Sequence, residues 1–140
     1  MGQFDHSAAC LRLFGDDIDP SEITALLACE PSVAERRGEI IRYASGHERT
    51  AKCGQWRLEA ANTKPEDLVS QIRWLLGQVT SNLEVWQRLG KMCEINIFCG
   101  LFMASGNDGL LLPPDIMFML GQRGILLDLD VYRWIEADDE

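Results

Sequence analysis

Apolar and polar positions alternate between residues 8 and 14. Ala9, Leu11 and Leu13 fall on one side, and Ala8, Cys10, Arg12 and Phe14 on the other. Successive side chains of a strand point to opposite faces, so this period of two predicts a β-strand, which Gly15 ends. Asp19 then offers a carboxylate to the unpaired amides of a first helical turn. Pro20 stands at the first helical position, where an N–H is not needed, and Glu22 follows three residues after the cap. Ile23, Leu26 and Leu27 give this helix its apolar stripe, and Pro31 stops it.

Residues 31–38 read as a loop or a loose extension. A hairpin is predicted next: a strand over 39–44, a polar loop over 45–51 containing Gly46, and a strand over 53–60 with Trp56, Leu58 and Ala60 on one face. Asn62 or Thr63 is the expected cap of a long amphipathic helix over roughly 65–89. Leu68, Ile72, Leu75, Leu76, Val79, Leu83 and Trp86 recur there mostly at spacings of three and four. Gly77 and the Thr80-Ser81-Asn82 patch are its points of bending or interruption, and Gly90 its end. Residues 92–103 read as a long strand, with Cys93, Ile95, Ile97, Cys99, Leu101 and Met103 on one face and Glu94, Asn96, Phe98, Gly100 and Phe102 on the other. Residues 105–109 are a turn cluster, and 110–112 a short strand. Pro113-Pro114-Asp115 opens a third helix with Ile116, Met119 and Leu120, ended by Gly124. The last strand, 125–134, sets Ile125, Leu127, Leu129 and Val131 against Leu126, Asp128, Asp130, Tyr132 and Trp134.

The predicted class is α+β. The first six elements spell the ferredoxin-like β-α-β-β-α-β order, followed by a C-terminal β-α-β extension, with helices packed on a mostly antiparallel sheet. The 140 residues make a single domain (1–140), with 1–7 and 136–140 as loose tails. Phe14, Phe98, Phe102, Tyr132 and Trp134 are placed on the sheet face away from the two main helices. The third helix or a second subunit is expected to cover that face.

Charge narrows the function classes. The net charge is −9, which repels phosphate backbones, so no nucleic-acid partner is expected. The apolar runs are too short to span a bilayer, so no membrane partner is expected. The N-terminus Met-Gly-Gln-Phe-Asp-His is short and polar and does not read as a signal peptide. The five cysteines (Cys10, Cys29, Cys53, Cys93, Cys99) contain no Cys-x-x-Cys. Four are placed in strand-like runs and Cys29 in a helix, as reduced thiols of a cytoplasmic protein. His6 and His47 match no zinc spacing, and neither a metal nor a cofactor is expected.

Two sets of residues carry candidate chemistry. Arg36, Arg37, Arg49 and Lys52, with His47 among them, form a basic segment whose guanidinium forks suit carboxylate or phosphate. The competing reading is a basic surface that balances acidic surface of the same fold or of a homodimer. Asp16, Asp17, Asp128 and Asp130 form the second set. Asp16 and Asp17 lie in a turn that lacks the glycine and spacing of a calcium loop. Asp128 and Asp130 project together from one strand face, where Arg12 and Arg57 are the candidate partners. No Gly-x-Ser-x-Gly, His-Glu-x-x-His or phosphate loop is present, so no catalytic residue is assigned.

Several segments jointly resemble an uncharacterised bacterial family, domain of unknown function 4279. They are Leu11-Arg12-Leu13-Phe14-Gly15-Asp16-Asp17 with Asp19-Pro20 and Ile23, then Gly54-x-Trp56-x-Leu58-Glu59, Phe98-Cys99-Gly100, and Gly124 with Leu127-Asp128-Leu129-Asp130-Val131-Tyr132. The resemblance covers about residues 8–133. Where it implies a basic residue before glycine in the first loop, this chain has Arg37-Gly38. It implies a bacterial cytosolic setting and no mechanism. The resulting expectation is a non-enzymatic cytoplasmic module that binds a protein partner, itself included as a homodimer, with an immunity-protein-like role as its specific form. The alternative is an anion- or metal-binding protein, or an enzyme, using the 36–52 basic loop and the strand carboxylates.

Overall fold

The computed structural model describes residues 2–134. Along them the chain forms β1 (Gly2–Gln3), β2 (His6–Gly15), α1 (Pro20–Leu27), β3 (Val33–Glu35), β4 (Ile40–Arg42), β5 (Glu48–Thr50), β6 (Gly54–Glu59) and α2 (Leu68–Gln78). It continues through α3 (Leu83–Met92), β7 (Glu94–Phe102), β8 (Asp108–Gly109), α4 (Pro114–Gln122) and β9 (Leu126–Tyr132). The class is α+β, with four helices among the described residues and mostly antiparallel sheet.

The alternation read at residues 8–14 belongs to β2, the central strand. Five strands lie in the order β3-β6-β2-β7-β9, antiparallel throughout except for the parallel pair β7–β9. Leu11 pairs with Leu58 on one side and Ile97 on the other, so all three project from the same face. On that face Leu11, Leu13, Trp56, Ile97 and Leu101 are buried with Ile23 of α1, Ile72 of α2, Leu89 of α3 and Ile116 of α4. Burying each such side chain contributes roughly 1.5–3 kcal/mol, which makes this two-layer contact the main source of stability. α1 sits against β6, α2 against β2, α3 against β7 and α4 against β9.

Local chemistry explains the ends of the elements. The Asp19 carboxylate accepts a hydrogen bond from the Ser21 amide at 2.9 Å, as its position before Pro20 predicts. α1 then closes on Ala28 in the left-handed region (φ 55°), well before Pro31. Gly124, with φ 66°, turns the chain from α4 into β9.

The structure corrects several expectations. Residues 2–7 are not a loose lead-in. β1 pairs with β8, Phe4 is buried, and the Ser7 hydroxyl lies 2.6 Å from Gln71 Oε1 and 2.9 Å from Thr63 Oγ1. This buried polar cluster ties α2 to the sheet. The expected tail at 136–140 lies outside the described residues.

The helix over 65–89 is two helices. α2 stops at Gln78, and Asn82 caps α3 by accepting from the Glu84 amide at 3.0 Å. The break falls in the Thr80-Ser81-Asn82 patch, whose short polar side chains compete for backbone partners. Gly90 lies inside α3, and α2 is capped by Asp67, not by Asn62 or Thr63.

Residues 39–44 and 53–60 do not form a hairpin with each other. β4 pairs with β5 in a small separate hairpin, and β6 pairs with β2 and with β3, the segment read as loop. Residues 110–112 are not a strand, since the short strand lies at β8 and pairs with β1. The third helix of the sequence reading, α4, joins the helical layer beside α2 and does not cover the opposite sheet face.

Candidate functional site

The sheet face away from the helices is set by parity along each strand. His6, Ala8, Cys10, Arg12 and Phe14 of β2 share it with Phe98, Gly100 and Phe102 of β7 and with Asp128, Asp130 and Tyr132 of β9. The rings of His6 and Phe102 stack at 3.9 Å, and those of Phe102 and Tyr132 at 4.6 Å. The Arg12 guanidinium lies 4.5 Å from the centre of the Phe98 ring, donates to Asn96 Oδ1 at 2.9 Å and approaches Asp128 Oδ2 at 3.6 Å. Arg12 thus meets the carboxylate for which it was a candidate partner. Arg57 pairs with Glu59 instead, at 3.0 Å.

The predicted basic segment splits. Arg36 donates to Asp19 at 2.7 Å. Arg37 donates to Asp17 at 3.1 Å, with Asp16 at 3.9 Å. The loop after β3 and the turn after β2 are therefore brought together, but as opposite charges that neutralise one another. Exposed pairs of this kind contribute little, roughly 0–1 kcal/mol, so their effect is to quench charge more than to add stability.

Arg49 turns to another partner. It donates from Nη2 to both Glu35 oxygens, at 2.8 and 2.6 Å, and from Nε to the Tyr43 hydroxyl at 2.7 Å. The Glu35 side chain is only 8 % exposed. Burial pushes its carboxyl upward, but hydrogen bonds from Arg49 and Gln55 and the nearby guanidinium charges outweigh that and hold it below the usual range. The same bond raises Arg49. Lys52 is exposed and has no ion pair among the described residues. The four basic residues do not converge on a common point where an anion would sit.

The acidic set also divides. Asp16 and Asp17 are at the end of β2, whereas Asp128 and Asp130 are on β9, the edge strand opposite β3. Asp130 has no cationic partner among the described residues. The Asp130 carboxylate shifts the Tyr132 hydroxyl upward. No group of three or more metal-ligating side chains occurs among the described residues.

A shallow pocket of about 210 Å³ on the open face is lined by Ala8, Cys10, Glu59, Asn62 and Phe98. Cys10 is the thiol in its lining. Burial pushes the Cys10 thiol up, so at neutral pH it is protonated and a weak nucleophile. The same cause raises Cys29, lifts Cys93 to about 11 and lifts Cys99 to about 12. Only Cys10 and Cys99 lie in strands. Cys29 follows α1, Cys53 precedes β6 and Cys93 caps α3. His6 and Cys10 are four residues apart on β2, roughly 13 Å at 3.3 Å per residue, too far for a catalytic dyad.

Sequence reasoning placed Phe14, Phe98, Phe102 and Tyr132 on the open face, and Trp134 lies just past β9. It missed His6, which it put in a loose tail, and Glu35, which it put in a loop. Parity carried back two residues along β2 gives the side of His6. No periodic signal marks a three-residue strand such as β3.

The large exposed apolar side chains are unevenly placed. Of the twelve among the described residues, eight lie between residues 111 and 134, on and around α4 and β9, among them Leu111 (81 %), Phe118 (64 %), Val131 (50 %) and Leu129 (45 %). No helix among the described residues is long and apolar enough to cross a membrane.

A family model described as Domain of unknown function (DUF4279) matches residues 5–134. No curated protein and no solved structure matches the chain.

Proposed function

The chain belongs to the family described as Domain of unknown function (DUF4279), and from that premise we propose that this member works by binding a protein partner and not by catalysis. The observation that carries the reading is the crowding of exposed large apolar side chains into residues 111–134, in a chain whose candidate cationic sites are mostly spent on internal ion pairs. Apolar surface concentrated in one place marks an interaction site more often than scattered residues do. The burial that pushes the Cys10 and Cys99 thiols up and the separation of His6 from Cys10 support the non-catalytic side of the reading.

The specific form is a cytoplasmic, immunity-protein-like role, in which a small acidic domain of net charge −9 occupies a basic partner. At the level of fold, the order β3-β6-β2-β7 supports a ferredoxin-like reading, with β3 in the place assigned to residues 39–44 and β9 added beside β7. The rival reading is a binder of anions or metals through Arg37 or Asp130.

The test is site-specific photo-crosslinking in cells, with the reactive residue at Phe118, at Leu129, or at the exposed Gln87 of α3. The expected result is a discrete adduct with one protein. Absence of any adduct, together with saturable thermal stabilisation by a metal or an anionic metabolite that Arg37→Ala or Asp130→Ala abolishes, overturns the proposal.

A further inference from the structure

Strand β9 ends the five-stranded sheet. It is seven residues long and carries neither proline nor lysine, two of the devices that keep edge strands from pairing. Its apolar side is incompletely covered. Leu129 and Val131 pair with Cys99 and Leu101, which are 0 % and 2 % exposed, yet are themselves 45 % and 50 % exposed. α4 buries Ile125 at the start of the strand but leaves these two residues open. On the other side stand Asp128, which Arg12 approaches at 3.6 Å, and Asp130, which has no cationic partner among the described residues. Among the described residues no strand pairs with the outer edge, and one added there would continue the apolar row on one face and bring positive charge to the other.

We propose that β9 is a docking strand, which takes as a sixth strand an extended partner segment whose side chains alternate between apolar and basic. Backbone pairing to an open edge supplies affinity, and alternate side chains supply specificity. The apolar side chains of the segment cover Leu127, Leu129 and Val131, and its lysines or arginines face Asp128 and Asp130. Charge excludes a second copy of this chain from the same place. The full antiparallel register centres on Leu129 and sets Asp128 against Asp130 twice. A shift of two residues either way sets one Asp against its own copy. Like charges directly opposite each other destabilise a pair of strands, whereas a basic segment turns the same positions into attractive ones. The net charge of −9 also steers a basic segment toward the chain and repels an acidic one.

This inference rests on the protein-binding reading and goes further by naming the edge and the chemistry of the partner. The probe is a ten-residue peptide of alternating valine and lysine, with a valine–glutamate peptide as control, titrated into the full chain. Calorimetry gives affinity, and backbone amide shifts give position. The basic peptide is expected to bind with shifts centred on residues 126–132, and the acidic one not to bind. Asp130→Lys is expected to weaken the basic peptide by roughly tenfold and to admit the acidic one. Shifts centred elsewhere, or an unchanged affinity in Asp130→Lys, overturn the proposal. So does a dimer in sedimentation that Leu129→Lys dissociates, because it gives the edge to a second copy. A crosslink found only at Gln87 overturns the docking strand while leaving the protein-binding reading intact. A chain that forms no crosslink at any of the three positions, and that a metal or anionic metabolite stabilises saturably through Arg37 or Asp130, removes that reading itself.

Discussion

Gly54 has no room for a side chain. A Cβ built there would lie 2.6 Å from Ile18 Cγ1 and 3.1 Å from the Gly15 carbonyl oxygen. Ile18 is itself buried beneath the turn that joins β2 to α1, so it cannot simply swing away. Gly54→Ala is expected to destabilise the fold by about 1–3 kcal/mol, read as a shift in the urea midpoint at unchanged slope. The Gly54-x-Trp56-x-Leu58 motif therefore has a packing explanation: one close approach and two core side chains. Glu35 makes a second residue-scale prediction. Its carboxyl titrates below its ordinary value in the folded chain, so the unfolded chain binds more protons as pH falls through that window. The stability it contributes is present above the ordinary glutamate range and is lost as pH drops through the folded value. The stability difference between the native chain and Glu35→Gln is expected to shrink between pH 7 and pH 3 in urea titrations. At this scale one cap was readable, Asp19 before Pro20, whereas Asp67 of α2 and Asn82 of α3 were not. The partners of Arg36, Arg37 and Arg49 were not, because each lies across a turn whose path depends on tertiary packing.

Elements were legible in proportion to their length. β2, β7 and β9 alternate over seven or more residues, and the alternation alone placed them within a few residues of their observed bounds. β3, β4 and β5 have three residues each, too few for any period to stand out, so the strand pairing between residues 31 and 60 was misassigned. The apolar stripe of α2 and α3 runs on across the Val79–Asn82 break because both helices bury their faces in one core, and a shared core hides a change of helix axis. The break is held by local chemistry: Asn82 caps α3, and the Trp86 indole donates to the Thr80 carbonyl at 2.8 Å. Asn82→Ala is expected to cost about 1 kcal/mol, measured as a lower thermal midpoint. It should also speed amide exchange in the first turn of α3 relative to α2.

On the scale of the whole molecule, the basic loop and the apolar surface lie at different places. Ion pairs draw Arg36 and Arg37 to the acidic turn at the end of β2, and Arg49 to the β3 edge, whereas exposed apolar side chains gather at α4 and β9. The acidic character was readable from composition, and the sequence suggested that a partner covers part of the sheet. Which edge stays open was not readable, because it depends on strand order, and order is set by packing between residues far apart in the chain. The most direct measurement is hydrogen exchange along residues 126–132 in the isolated full chain, and then with the alternating valine–lysine peptide. In a parallel edge strand, alternate amides bond inward to the neighbouring strand and the others point outward. The account predicts slow and fast exchange at alternate positions of β9 in the free protein, with the fast positions slowed by the peptide. Uniformly slow exchange in the isolated chain, or fast positions that the peptide leaves unchanged, would contradict it.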